Sequence, residues 1–109
     1  ERRMRRPQIG CTGRGRNVAI SNVSVANTPT LIAAGDGMRI SLTVQHVDTV
    51  DSTTPIWVSN SATIAIGEGF YLSGLGAVLS ILREGGAGNP WYGISTGNTV
   101  TVAVATGER

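Results

Sequence analysis

Hydrophobic and polar residues alternate most regularly between residues 38 and 46. The odd-numbered positions from 39 to 45 are polar. The even-numbered positions are apolar or aromatic: Met38, Ile40, Leu42, Val44 and His46. Because successive side chains of a strand point to opposite faces, this period of two predicts a strand with one buried face and one face in water.

Shorter alternations predict further strands along the chain. The segments are 18–20, 23–25, 30–34, 56–58, 63–66, 70–72, 91–96 and 99–106. Segment 75–84 also fits the spacing of a helix face, but a strand is favoured because the rest of the chain is β and an isolated helix this short is unstable. The pattern predicts an all-β fold, a single compact β-sandwich or small barrel of about eight mostly antiparallel strands.

Composition supports the same fold class. The 109 residues include 32 Val, Ile and Thr residues together and 15 glycines, but no lysine. β-branched side chains suit pleated, half-buried strands, and glycine suits the turns between them. A helical bundle is therefore disfavoured. The 40% hydrophobic content also disfavours a disordered chain, because it is enough to build a core.

The net charge of +2 hides two segments of opposite sign. Residues 1–16 carry +5 and have little apolar content, whereas residues 17–109 carry −3. We predict an extended basic arm over 1–16 followed by a β-sandwich domain over 17–109. The candidate partner-binding residues are the arginines of this arm: Arg2, Arg3, Arg5, Arg6, Arg14 and Arg16.

The arm is compatible with three roles. It could be a solvated tail, dock on an acidic surface of a partner protein, or contact the phosphates of nucleic acid, which is the less favoured partner. Arginine suits the last two roles, because its guanidinium donates paired hydrogen bonds to carboxylate or phosphate.

Several classes of site and location are disfavoured by what the sequence lacks. Cys11 is the single cysteine, which leaves no partner for an internal disulfide or a four-cysteine zinc site. No apolar run approaches the roughly 20 residues of a membrane span, and the basic start is followed by Pro7 and Gly10 rather than by the apolar stretch of a signal peptide. We expect no metal, no cofactor and no membrane association.

Two weak patterns for catalysis are better explained by structure. Segment 93–97 matches the Gly-x-Ser-x-Gly elbow, but that elbow needs a following helix, and here a strand is predicted. His46 and Asp48 could share one side of a strand, yet two residues are too few to define a metal site. We therefore expect no enzyme activity.

Three aromatic residues are candidates for an interface or a stacking platform: Trp57, Trp91 and Tyr92. Trp91 and Tyr92 are adjacent and must face opposite sides of a strand. Either of them could lie at a subunit contact, where aromatic residues are favoured. For Trp57, core filling is the preferred interpretation.

Four segments, taken in order, carry a resemblance to a known family. They are 28–45 (TPTLIAAGDGMRISLTVQ), 54–58 (TPIWV), 69–72 (GFYL) and 91–95 (WYGIS). Together they resemble small β-rich virion structural modules of tailed bacteriophages, over about residues 24–105. The resemblance implies a non-enzymatic part of a phage particle, namely a capsid decoration (cement) protein or a tail or fibre module. The basic arm is not part of the shared pattern.

The resemblance and the charge pattern lead to one functional expectation. The chain would be a decoration protein of the virion, assembled in the host cytoplasm, that forms a trimer or dimer on the capsid surface. Its arm would anchor it to the major capsid protein or to other virion proteins. The alternatives are a tail or fibre module that binds a host receptor or glycan, and a nucleic-acid-binding protein that uses the arm.

Overall fold

The computed structural model describes residues 17–108, which form eight strands and one 3₁₀ turn and contain no α-helix. The strands are β1 (Asn17–Val25), β2 (Thr30–Ala33), β3 (Arg39–His46), β4 (Ile56–Ser59), β5 (Phe70–Leu72), β6 (Val78–Leu82), β7 (Trp91–Ser95) and β8 (Val100–Glu108), and the 3₁₀ turn Arg83–Gly85 follows β6.

The strands form two four-stranded antiparallel sheets. Sheet I has the order β1-β8-β3-β6, and sheet II has the order β2-β7-β4-β5. Only the β4–β5 connection stays within one sheet, and every other connection crosses to the opposite sheet. This is the arrangement of a jelly roll, a double-sheet all-β sandwich. The predicted all-β sandwich of about eight mostly antiparallel strands is therefore confirmed.

The core lies between the inner faces of the two sheets. Sheet I contributes Leu42 and Val44 together with the alternate valines of β8, and sheet II contributes Ile56, Val58 and Leu72. Burying one such aliphatic side chain stabilises the fold by about 1.5–3 kcal/mol. The two central strands of sheet I, β3 and β8, therefore carry much of the apolar core.

The alternation predicted for β3 is correct only over its second half. Leu42, Val44 and His46 are fully buried. Before these residues, a register shift against β8 between residues 39 and 41 reverses which side chains face the core. Arg39 is therefore buried, and Met38 is 53% exposed. The prediction that Met38 faces the core and Arg39 faces water was wrong, because this irregularity places an extra residue in the strand and changes which face the next side chain occupies.

Two other segments can be compared with their predictions. Residues 63–66 were predicted as a strand but form turns, in which Ile64 N donates to Ser61 O over 3.2 Å and Ala65 N donates to the Glu68 carboxylate over 3.0 Å. These local bonds use the backbone groups that a sheet would need. Segment 75–84 contains β6, so the strand interpretation is confirmed and the helix interpretation is wrong.

A matched pair of glycines before β5 tests the packing of sheet II. Gly67 and Gly69 both have a positive φ, of 94° and 89°, but a Cβ at Gly67 would meet nothing within 4 Å. A Cβ at Gly69 would collide with Val58 O and lie 2.9 Å from Ser59 Cβ. Gly67→Ala is expected to cost only the backbone strain, about 1–3 kcal/mol, and Gly69→Ala clearly more. Urea unfolding of both variants measures the difference, and equal losses would contradict the close packing of Gly69 on β4.

Candidate assembly surfaces

The outer face of sheet I is formed by side chains that alternate with the buried ones. The strand register aligns them in rows across the sheet, for example Asn22, Ala103 and Gln45. From the β1 edge to the β6 edge the face consists of Ile20, Asn22, Ser24, Thr101, Ala103, Ala105, Ser41, Thr43, Gln45, Val78, Ser80 and Leu82. None of these side chains is charged, although such a face in water usually carries charge.

Small side chains occupy the centre of this face, and large apolar side chains lie at its margins. Ala103 and Ala105 lie on β8, one of the two central strands, whereas Ile20 at one margin is 73% exposed and Leu82 at the other is 63% exposed. Small side chains let a second sheet approach to the usual packing distance of about 10 Å. Because charged residues are depleted at the centre of protein interfaces, the face has the composition of a contact surface.

Sequence reasoning missed this face. The alternation of residues 38–46 predicted a strand face in water, and the lack of charge at most of its outward positions was not considered. The signal was present in the sequence, because the outward residues of β3 and β8 are Ser, Thr, Gln and Ala. The register of the strands was needed to show that these positions form one continuous surface.

The outer face of sheet II is aromatic. Trp57 on β4 lies opposite Tyr71 on β5, with their ring centroids 4.8 Å apart at 50°, and opposite Ile94 on β7. Tyr92 lies one row away, opposite Leu31. Trp57 and Tyr92 are half-buried, so core filling was the wrong interpretation for Trp57. The predicted interface role of Trp57 and Tyr92 remains a prediction.

Trp91 belongs to the core and not to the outer face. Its side chain is 4% exposed, and its indole Nε1–H donates to Gly86 O over 2.9 Å. Trp91 and Tyr92 do face opposite sides of β7, as predicted from their adjacency. Of the two candidates for a subunit contact, Tyr92 therefore lies on the outer face of sheet II and Trp91 does not.

An apolar groove opens between the free edges of β5 and β6. The groove encloses about 370 Å³. Its walls include Phe70, Leu79, Ile81, Leu82 and Trp91, and Glu84 supplies a carboxylate at the 3₁₀ turn. Phe70 is 52% exposed, and within residues 17–108 no strand pairs with the outer edge of β6. The groove therefore combines exposed apolar surface with an open strand edge, which favours association with another segment.

Among the described residues, every buried side-chain nitrogen and oxygen has a hydrogen-bond partner except His46 Nδ1. Ser95 of the Gly-x-Ser-x-Gly segment is fully buried, its hydroxyl donates to Asn98 O, and β8 follows where a nucleophile elbow would have a helix. His46 Nε2 donates to Thr54 O over 2.9 Å. Within residues 17–108, no three His, Cys, Asp or Glu side chains are placed to hold a metal ion.

Asp48 organises the loop that follows β3. Its carboxylate accepts hydrogen bonds from the backbone N–H groups of Val50, Asp51 and Thr101, at 2.8–3.0 Å. These bonds, first that from Asp51 and then that from Thr101, hold the pKa of Asp48 below its usual value of 3.8. Asp48 therefore joins its own loop to the start of β8.

The lowered pKa of Asp48 predicts how stability depends on pH. The contribution of its carboxylate is fully present above pH 3.8 and is lost as the pH falls through the lower pKa of the folded state. Asp48→Asn should therefore flatten the acid side of the stability profile, measured as thermal midpoints between about pH 5 and pH 2. The control is Asp51→Asn, which makes the same substitution in the same loop. The Asp51 carboxylate accepts a bond from the side chain of Asn98, whereas that of Asp48 accepts bonds from three backbone N–H groups. Parallel acid profiles for Asp48→Asn and the unmodified chain would contradict this role.

A pair of acidic residues lies at the end of sheet I where β1 begins. Glu108 is opposite Asn17 in the β1–β8 register, and a hydrogen bond to Asp36 raises the pKa of Glu108 above its usual value. Asp36 in turn accepts from Met38 N over 2.9 Å, which is the largest cause of its own lowered pKa. The segment predicted as an arm, residues 1–16, is thus followed by a strand that begins beside two carboxyl groups.

The predicted partner-binding arginines lie outside the described residues. They are Arg2, Arg3, Arg5, Arg6, Arg14 and Arg16, and Cys11 is in the same segment. In residues 17–108, no helix has the length and apolar character needed to cross a membrane.

Comparison with known proteins gives one structural similarity. No family model and no curated protein matches this chain. A solved structure described as "Bacillus endospore appendages form a novel family of disulfide-linked pili" matches with a TM-score of 0.51 and 13% sequence identity, over 94% of this chain and 97% of that chain. At this identity the likeness concerns the fold alone.

Proposed function

We propose that this chain is a structural subunit that works by packing against other subunits in a larger assembly. The uncharged outer face of sheet I carries the proposal, because a four-stranded face without charge is unusual on a protein that stays alone in water. Burial against a neighbour would remove the exposed Ile20 and Leu82 side chains from solvent and would leave no charge unpaired at the centre of the contact.

The free strand edges and the aromatic face add further contact surface. Each sheet ends in strands that are paired on one side only within the described residues, and such edges pair readily with other chains. The solved structure with a similar fold is described as a pilus, which is itself an assembly of subunits. This description supports a structural role and leaves the type of assembly open.

For the type of assembly we propose a bacteriophage virion, with the chain as a capsid decoration protein. The support is the resemblance of segments 28–45, 54–58, 69–72 and 91–95 to phage virion modules. The arm, with six arginines, would bind an acidic surface of the major capsid protein. The second candidate is a fibre subunit, which the pilus description favours.

Sedimentation velocity of the full chain at rising concentration tests the proposed function. We expect the monomer to decrease and dimers, trimers or larger species to form, and electron microscopy of these species separates closed oligomers from open fibres. Closed oligomers are expected for a decoration protein, and open fibres would favour the second candidate. A chain that remains monomeric at every concentration would contradict self-assembly in both forms.

A further inference from the structure

The groove between β5 and β6 is an apolar site with one acidic group. Phe70, Leu82 and Trp91 provide apolar and aromatic surface, and Glu84 lines the groove from within the 3₁₀ turn. The ring centroids of Phe70 and Trp91 are 6.3 Å apart, so both rings lie in the same part of the groove. Its occupant should therefore offer apolar side chains together with a positive charge.

The arm has this chemistry. Residues 1–16 contain Met4 and Ile9 among six arginines, and guanidinium groups both stack on aromatic rings and pair with carboxylates. The charges are also complementary, since the arm carries +5 and residues 17–109 carry −3. No other segment of the sequence combines apolar residues with such a density of positive charge.

The strand register shows where the arm is attached. Val18, Gly107, Ser41 and Leu82 lie in one row across sheet I, so the arm leaves at the same end of the sheet as the groove. It leaves from β1, however, and the groove lies along β6 at the opposite edge, about 14 Å away at three strand spacings. A neighbour whose β6 edge lies beside this β1 edge would bring its own groove closer than this. Sixteen extended residues span up to about 53 Å, which is ample reach.

We propose that the arm of one copy binds in the β5–β6 groove of a second copy and links the two subunits. The apolar side chains of the arm cover Phe70 and Leu82, and an arginine of the arm pairs with Glu84. This inference rests on the proposed function, because it requires that copies of the chain associate.

The single native cysteine allows a direct test in the full chain. Leu82→Cys places a second thiol in the groove. The matched control Val50→Cys places the second thiol in the loop after β3, far from the groove, at a position where the native side chain is 89% exposed. Each variant is prepared as a mixture of ¹⁵N-labelled and unlabelled protein and treated briefly with a mild oxidant. Mass spectrometry then identifies the linked peptides.

In the Leu82→Cys chain we expect a disulfide between Cys11 and the introduced groove thiol that joins labelled to unlabelled chains. It should form at least about tenfold faster than the disulfide between Cys11 and the introduced loop thiol of Val50→Cys, because docking raises the local concentration of the two reacting groups. Adding Glu84→Arg to the Leu82→Cys chain should slow the formation of this disulfide between chains.

Equal rates for Leu82→Cys and Val50→Cys would overturn the proposal, and so would linkage only within single chains. If sedimentation shows association but Cys11 does not link to the groove thiol, the proposal that the arm binds the groove is overturned and the proposed function stands. If the chain is monomeric, the proposed function fails as well.

Discussion

Ala103→Glu is expected to leave the subunit folded and to abolish its assembly. Ala103 lies on β8, a central strand of sheet I, in a row with Asn22 and Gln45, and its side chain points away from the core. In the isolated subunit a glutamate at this position reaches water. In an assembly that covers the face, the same carboxylate is buried without a partner, which costs several kcal/mol. Because each 1.4 kcal/mol is a factor of ten, association should weaken by about 100-fold or more.

The control for this prediction carries the same substitution elsewhere. Ala62 is exposed in the loop between β4 and β5, outside both sheet faces. Ala62→Glu should sediment like the unmodified chain, and Ala103→Glu should sediment as a monomer with an unchanged far-UV circular dichroism spectrum. If Ala103→Glu assembles normally, or if both variants lose assembly equally, the outer face of sheet I is not part of the contact.

Arg39→Ala is expected to be among the most destabilising changes at a charged residue. The Arg39 side chain is buried, with its Nε 2.6 Å from Ala87 O and one terminal nitrogen 2.8 Å from Asn89 O. Alanine would leave both carbonyls of the 86–90 loop without their donor. The bond to Ala87 O is buried and the bond to Asn89 O is partly buried, and a buried group left unsatisfied costs about 1–3 kcal/mol. We expect a total loss of about 2–5 kcal/mol. For a domain of this size the corresponding decrease in thermal midpoint is about 10–20 °C.

Two further substitutions isolate the cause of this loss. Arg39→Lys keeps the positive charge but lacks the planar fork that donates to two carbonyls at once, so it should recover little of the stability. Arg83→Ala removes an exposed arginine and should change the thermal midpoint little. Full recovery by Arg39→Lys would show that charge, and not the paired donation, holds the loop.

The fold class was predictable because it depends on local patterns. Alternation in β3 and β8 and the glycine-rich turns are visible in the sequence, and both strands occur where the alternation places them. Local exceptions were not predictable. The register shift that buries Arg39 depends on pairing with β8, which is more than 50 residues away along the chain. The turns at 63–66 depend on the Glu68 side chain, which competes for a backbone donor.

The candidate site was predictable only in part. Charge density alone predicts an arm over residues 1–16, because this prediction requires no knowledge of the fold. The uncharged face and the groove depend on which strands are neighbours: Thr43 and Ala105 become one surface only when β3 pairs with β8, and Phe70 meets Trp91 only across sheet II. For the same reason the sequence favoured core filling for Trp57 and did not identify Trp91 as a core residue, since composition cannot show which side of a strand faces the second sheet.

A three-dimensional reconstruction of the assembled protein by electron cryomicroscopy can show which surface the subunits share. We expect a neighbouring subunit to cover the outer face of sheet I, with Ala103 near the centre of the contact. An assembly in which that face is open to solvent in every subunit would show that it is not the assembly surface.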